Sequence, residues 1–162
     1  MAVDYDPIKA HEYYEKNKKL KGRSTKGLSN SKKEQWSYVK AQLSEEHSTN
    51  KKAISEAKKN RDKQISENAK AQKERLTAQA KQKIAQLKQK LKMMSPSQKA
   101  EFSEQIKGAI SSIQSGLKKD KESISAKATS DRAKSKEKAT SDRAKEDAGY
   151  QQKLDAAFDR IK

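Results

Sequence analysis

The sequence predicts an all-α protein: a long antiparallel two-helix hairpin, built as a hendecad coiled coil, with a short helical N-terminal arm. Strand signals are absent, and only two prolines and five glycines interrupt long stretches of Lys, Gln, Glu, Ala and Ser. Large apolar residues recur every 11 positions, which is three helical turns and keeps one stripe on one face. We therefore divide the chain into an arm (1–30), a first long helix (31–94) and a second long helix (95–162).

The arm differs from the rest of the chain in its tyrosines. Asp6 followed by Pro7 predicts a helix start, and the helix is expected to reach about Leu20. A basic, glycine-punctuated loop follows over residues 16–27. Rings among lysines suit docking onto the coiled coil or onto a partner protein, and they also suit base stacking on nucleic acid. The candidate partner-binding residues are Tyr5, His11, Tyr13, Tyr14, Lys18, Lys19, Lys21, Arg23 and Lys26.

Capping signals predict where the two long helices begin. Ser31 and Glu34 have the spacing of a capping box, so the first long helix is expected to start there. Ser95, Pro96 and Gln98 form a second start signal, and the residue before a proline is pushed out of the helical region. One helix therefore ends and another begins at this point, which places the hairpin turn near the middle of the chain.

The apolar stripe predicts how the two helices face each other. If the chain folds back at the turn, residues whose positions add up to 189 face each other, which pairs Leu76 with Ile113 and Val39 with Tyr150. Aromatic residues near both outer ends, Trp36 and Phe158 among them, predict a clamp. The predicted seam residues are Leu43, Ile54, Ile65, Leu76, Leu87, Phe102, Ile113 and Ile124.

The second long helix contains a literal repeat. Residues 127–134 (KATSDRAK) recur as residues 138–145, and the 11-residue shift equals the apolar period. Alanine occupies the seam positions here, and Ser135 is expected to face Ile54. We expect this segment to bury little and to be the weakest part of the hairpin unless a second copy of the chain or another protein covers it.

The formal charge of +17 is concentrated in the first long helix. Residues 31–95 hold 17 basic and 7 acidic side chains, a net charge of +10. Such a surface attracts polyanions or acidic proteins, and lysine also serves simply to keep an exposed helix in solution. The candidate nucleic-acid contacts are Lys51, Lys52, Lys58, Lys59 and Arg61.

No catalytic or metal-binding pattern emerges from the sequence. Cysteine is absent, and the two histidines, His11 and His47, have no carboxylates at metal-ligand spacing. There is no glycine-rich phosphate loop or serine elbow. We expect no enzyme, no metal and no cofactor. The sequence also has neither a signal peptide nor an apolar run that could span a bilayer, so we expect no membrane association.

Three segments of the arm and the first helix carry a resemblance: residues 11–16 (HEYYEK), 19–27 (KLKGRSTKG) and 34–38 (EQWSY). Over about the first 40 residues the chain resembles small basic coiled-coil proteins encoded among the structural genes of tailed bacteriophages and prophages. The resemblance implies a virion or prohead component, such as an internal capsid protein, a scaffold or a minor structural protein. It implies capsid or other virion proteins as partners, and a location in the virion or in the host cytoplasm during assembly.

Two functions follow from these observations. The first is a non-enzymatic structural or assembly protein that acts through coiled-coil association and a basic attachment arm, with homo-oligomerisation as one mode of association. The alternative is a sequence-independent nucleic-acid-binding protein, whose affinity would fall steeply with salt.

Overall fold

The computed structural model describes residues 6–16 and 24–162, which form three α-helices. Helix α1 comprises Pro7–Lys16, α2 comprises Asn30–Lys92, and α3 comprises Pro96–Ile161. Helices α2 and α3 pack against each other, and these described ranges contain no strand. The predicted all-α helical hairpin is confirmed.

Side-chain caps fix the starts of α1 and α2. The Asp6 carboxylate accepts hydrogen bonds from the Ile8 N–H (3.0 Å) and the Lys9 N–H (3.4 Å), as predicted for a helix starting at Pro7. For α2 the predicted cap is wrong. The hydroxyl of Ser29, not that of Ser31, accepts the N–H of Lys32 at 3.3 Å, and the helix begins at Asn30.

A turn on the N-terminal side of Ser29 explains this earlier start of α2. Gly27 adopts a φ of 88°, a left-handed conformation that residues with a side chain rarely adopt, and the Leu28 N–H bonds to the Thr25 carbonyl at 3.1 Å. The turn delivers the chain to Ser29 already positioned to cap. Glu34, the predicted partner of Ser31, instead contacts His11 of α1.

The hairpin turn has the predicted capping box. The Ser95 N–H donates to Gln98 Oε1 at 3.1 Å, and the Gln98 N–H donates to Ser95 Oγ at 3.4 Å. Helix α2 ends at Lys92, and the Met94 N–H closes a tighter turn onto the Leu91 carbonyl at 3.2 Å. The described chain therefore reverses over Met93, Met94 and Ser95.

The residues fall into two compact units. The terminal unit comprises residues 1–58 and 138–162, and the turn unit comprises residues 59–137. In the terminal unit the buried core packs residues near the start of α2 against residues near the end of α3, as the predicted clamp requires. Its buried members are Trp36, Val39, Leu43, Phe158 and Ile161, with Leu28, Tyr38, Tyr150, Leu154 and Ala157 packed against them.

The turn unit is held by a narrower seam. Its buried residues are Ala80, Ile106 and Ala128, with Ser135 as a buried polar member. Of the predicted seam residues in the whole chain, Leu43 is buried and the other seven are half-buried. Buried positions still recur at the predicted period, for example Ala128 and Ala139, so the packing follows the hendecad pattern.

The side chains that contact each other across the two helices differ from the predicted pairs by several positions. Tyr150 stacks on His47, eight positions beyond Val39, and Trp36 meets Phe158. Cross-helix partners have positions that add up to between 193 and 199, in each unit, rather than to 189. Helical side chains lean toward the N-terminus of their own helix. In an antiparallel pair, two side chains that touch therefore have a larger sum of positions than two residues whose backbones lie side by side.

The literal repeat supplies matching cross-helix hydrogen bonds. In the turn unit Arg132 donates to the Ser66 hydroxyl at 2.8 Å, and in the terminal unit Arg143 donates to the Ser55 hydroxyl at 3.1 Å. Both members of the second pair lie one hendecad period away from those of the first. The repeat in α3 is therefore matched by serines with the same spacing in α2.

Ser135 also has a different partner from the predicted one. Its hydroxyl and its carbonyl both accept hydrogen bonds from Arg61, each at 3.3 Å, and Ser135 is 5% exposed. The predicted facing residue, Ile54, is seven positions earlier than Arg61. The guanidinium satisfies a buried hydroxyl that an apolar partner would have left without a hydrogen bond.

We predict that the alanines of the repeat differ sharply in their tolerance of larger side chains. Ala139 is fully buried, so Ala139→Leu should overpack the seam and lower the free energy of unfolding by about 1–3 kcal/mol. Ala144 lies in the same repeat copy and is exposed, so Ala144→Leu should change it by less than about 0.5 kcal/mol. Urea unfolding followed by circular dichroism measures both, and equal losses would contradict a packed seam in the repeat.

Candidate functional site

The described part of the arm is anchored to the start of α2. His11 Nδ1 lies 3.1 Å from Glu34 Oε1, and Ala10 on the same short helix is fully buried. Ile8, one of the large apolar side chains of the arm, is 72% exposed. The arm therefore docks on the coiled coil through one set of residues and presents an apolar side chain to solvent.

Most other predicted arm residues lie outside the described residues or have side chains that do. Lys26 is described and exposed, and its N–H donates to the Ser24 hydroxyl at 3.3 Å in the turn before α2. Tyr5, Lys18, Lys19, Lys21 and Arg23 lie outside the described residues, as do the side chains of Tyr13 and Tyr14.

The five predicted nucleic-acid contacts do not form one free surface. Lys51 is paired with Asp147 at 2.7 Å, Arg61 donates to Ser135, and Lys58 is half-buried. Lys52 and Lys59 are exposed. Two of the five cations therefore take part in bonds between α2 and α3, which makes them structural rather than available to a phosphate.

An aromatic contact closes the clamp of the terminal unit. The rings of Trp36 and Phe158 meet edge to face, with centroids 5.1 Å apart and an interplanar angle of 80°. Trp36 is 2% exposed. The two rings come from opposite ends of the chain, so this contact fixes the start of α2 against the end of α3.

A polar layer lies beside the clamp and centres on His47. The imidazole stacks on the Tyr150 ring with centroids 4.2 Å apart. Its Nδ1 lies 3.2 Å from Glu146, and its Nε2 lies 3.2 Å from Asp147. Asn50 also donates to Glu146 at 3.1 Å. The sequence did not reveal this layer because the carboxylates are about 100 positions from the histidine.

The charges in this layer are complementary. A neutral imidazole has one N–H, so His47 donates to both carboxylates only as the imidazolium. The hydrogen bond from Asn50 is the main cause that lowers the pKa of Glu146, against an opposing effect of burial. The hydrogen bond from Lys51 is the main cause that lowers the pKa of Asp147. Two carboxylates on α3 thus face the imidazole of His47 and the ammonium group of Lys51 on α2.

A basic groove runs between the helices of the turn unit. Its lining combines small and hydroxyl side chains with cations from both helices. Two of these cations bond across it, because Lys73 donates to the Ser125 hydroxyl and Arg132 donates to the Ser66 hydroxyl. Glu74 is the acidic residue on its lining, and it lies 3.9 Å from Lys70. The basic lining residues are Lys70, Lys73, Lys81, Lys121 and Arg132.

Comparisons with protein families, with curated proteins and with solved structures gave no significant match. Across residues 6–16 and 24–162, no three His, Cys, Asp or Glu side chains converge in a way that could hold a metal ion. In the same ranges no helix is both long and apolar enough to cross a membrane.

We predict that the polar layer makes the terminal unit sensitive to acid. Glu146 and Asp147 have lowered pKa values in the folded chain, so their ionised forms stabilise it above the ordinary values of 4.5 and 3.8. This contribution is lost as the pH falls through the lowered values. Glu146→Gln with Asp147→Asn should therefore lower the Tm at pH 7 and flatten the decline of Tm below pH 5.

A matched control removes two carboxylates outside the layer. Asp120 and Glu122 are exposed on α3, so Asp120→Asn with Glu122→Gln changes the net charge equally without touching His47. Its acid decline should match that of the unmodified chain. If both double variants flatten the profile to the same extent, net charge rather than the layer determines acid stability.

Proposed function

We propose that this chain is a non-enzymatic structural or assembly protein. The observation that carries the proposal is the anchored arm: α1 is tied to α2 by the His11–Glu34 contact, while Ile8 points to solvent. An apolar side chain presented on a fixed short helix suits attachment to a partner protein better than a free tail, because less conformational freedom is lost on binding.

The long helices support the same proposal. Their apolar residues lie in one narrow seam, and polar cross-helix pairs such as Arg132 with Ser66 fix the register along it. A pair of helices held in this way separates or connects components of a larger assembly. In this proposal a homo-oligomer forms when two or more complete hairpins associate.

The particle we propose is a phage virion or prohead, on the resemblance carried by the arm and the start of α2. In this proposal the partners are capsid or other virion proteins, and the chain resides in the virion or in host cytoplasm during assembly. Gradient sedimentation of an extract from the natural source, with the chain followed by antibody, tests it. Sedimentation with large particles would support the proposal, and sedimentation at the size of the free chain would refute it.

A second candidate function is sequence-independent nucleic-acid binding, which the distribution of charge favours. The turn unit holds 20 basic and 9 acidic side chains, a net charge of +11, and so carries most of the +17 of the chain. Polyphosphate backbones bind such surfaces through release of counterions, with little dependence on base sequence.

We predict that Ile8 is required for attachment and not for folding. Because Ile8 is 72% exposed, Ile8→Asp should remove an apolar anchor and leave the Tm within about 2 °C, as a surface substitution does. The affinity of the chain for the particles, taken from sedimented fractions over a concentration series, should fall at least about tenfold, which corresponds to about 1.4 kcal/mol of binding energy.

The control for this variant is another large apolar residue that is exposed in the described part of the chain. Met93 is 80% exposed in the hairpin turn, so Met93→Asp makes the same kind of change at a distant position. It should leave co-sedimentation unchanged. Equal losses in both variants, or a loss only in Met93→Asp, would place the attachment site elsewhere than the arm.

A further inference from the structure

We propose that the turn unit binds the phosphate backbone of duplex nucleic acid through lysines that recur once per hendecad period on α2. These are Lys59, Lys70, Lys81 and Lys92, and we name them the lysine column. All four are exposed. The inference rests on the second candidate function above and names the site and the ligand class that this function requires.

The column leads into a stretch without any acidic residue. From Arg75 to Ala100 the sequence has seven basic side chains and no Asp or Glu. All seven are exposed, and none of them forms an ion pair or side-chain hydrogen bond within the described residues. The seven are Arg75, Lys81, Lys83, Lys88, Lys90, Lys92 and Lys99.

The facing part of α3 does little to neutralise this charge. By the observed register this part is about residues 101–124, which hold four acidic and four basic side chains. Glu104 lies 3.6 Å from Lys107 on its own helix, and within the described residues none of the four acidic side chains pairs with α2. The four are Glu101, Glu104, Asp120 and Glu122. In the terminal unit, by contrast, α2 and α3 form ion pairs with each other, as Lys51 does with Asp147 and Lys153 does with Glu46. Exposed ammonium groups without a partner on the opposite helix are what a phosphate backbone requires, since each contact releases a counterion. Lys70 of the column contacts only Glu74 on its own helix, at 3.9 Å.

The basic groove extends this surface across to α3. Lys70 and Lys81 of the column line it from α2, and Lys121 lines it from α3. Its lining also includes Thr77 and small side chains such as Ala78, so a phosphate ridge can lie close to both helices. Cations from two helices then face one backbone, which raises the local positive potential above that of a single helix.

The spacing of the column matches a duplex. Eleven helical residues rise about 16.5 Å, so two periods cover about 33 Å. One turn of duplex DNA is about 34–36 Å, so Lys59 and Lys81, or Lys70 and Lys92, would meet equivalent phosphates on a helix lying along the duplex. An acidic protein surface has no reason to share this period, which is why we favour nucleic acid over an acidic protein.

The turn unit is poorly suited to single strands. Binding of unpaired bases uses aromatic side chains on which the bases stack. Residues 59–137 contain one aromatic residue, Phe102, which is half-buried. A surface with many cations and almost no rings suits a backbone whose bases are already paired.

The test compares two triple variants with equal loss of charge. The column variant is Lys70→Gln, Lys81→Gln and Lys92→Gln. The control variant is Lys52→Gln, Lys134→Gln and Lys145→Gln, which removes exposed lysines from other positions and includes a contact predicted from the sequence. Circular dichroism establishes that both remain helical.

Binding is measured by fluorescence anisotropy on the full-length chain. The probes are a 30-base-pair DNA duplex, an RNA duplex of the same length, single-stranded DNA and polyglutamate, each titrated at 50 to 200 mM KCl. The unmodified chain should bind duplexes more tightly than the other probes. The column variant should lose at least about tenfold in affinity at 100 mM KCl, and its salt slope should shrink by about 2.7, or 0.9 per lost phosphate contact. The control variant should lose less than about threefold.

Different failures identify different errors. If the unmodified chain binds no nucleic acid at 50 mM KCl, the nucleic-acid function itself is overturned. If it binds duplexes but both variants lose affinity equally, the function survives and the lysine column is overturned as its site. Tighter binding of single strands would move the site to the tyrosines of the arm, and equal binding of polyglutamate would replace nucleic acid by an acidic protein. Preference for the DNA duplex supports the site, whereas preference for the RNA duplex would overturn the match between the column and the turn of duplex DNA.

Discussion

The shared hendecad period of α2 and α3 is the constraint on which the other features depend. Because each period completes three helical turns, a residue on the seam is followed one period later by a residue on the same face. This keeps the apolar stripe of each helix against the other, although most of its large residues are only half-buried. Small residues such as Ala128 and Ala139 then allow close packing where leucine or isoleucine is absent.

The same period organises the polar contacts. A residue type that recurs once per period recurs in the same environment, so a serine that meets an arginine once meets one again a period later, as Ser55 and Ser66 do. The same rule gives the lysine column its straight alignment. Packing and charge thus follow from one repeat, and a change in the period would disturb both.

Much of the fold could be predicted because its signals are local. Asp6 before Pro7, and Ser95 with Gln98, act within one helical turn, and each caps a helix as the sequence suggested. The cap of α2 was misassigned to Ser31 because the left-handed turn at Gly27 depends on backbone geometry that composition does not report. Local signals also placed the hairpin turn within a few residues of where α2 ends at Lys92.

The candidate sites were harder to predict because they depend on contacts between distant residues. A register based on position numbers ignores the lean of side chains along each helix, so it paired Tyr150 with Val39 and missed its stack on His47. Because of the same error, the register did not identify Glu146 and Asp147 as partners of His47. It also did not identify Ser135 as the hydrogen-bond partner of Arg61. Those contacts decide which lysines of α2 are already paired and which are free to bind.

The duplicated segment of α3 carries a consequence for how such a hairpin can change in length. Each copy of the repeat contains one buried alanine in the seam and one arginine that donates a hydrogen bond to a serine of α2. Adding a copy to α3 alone would displace every later residue by about 16.5 Å relative to α2 and put Phe158 out of reach of Trp36. The cross-helix contacts are therefore kept only when the two helices gain or lose whole hendecad periods together.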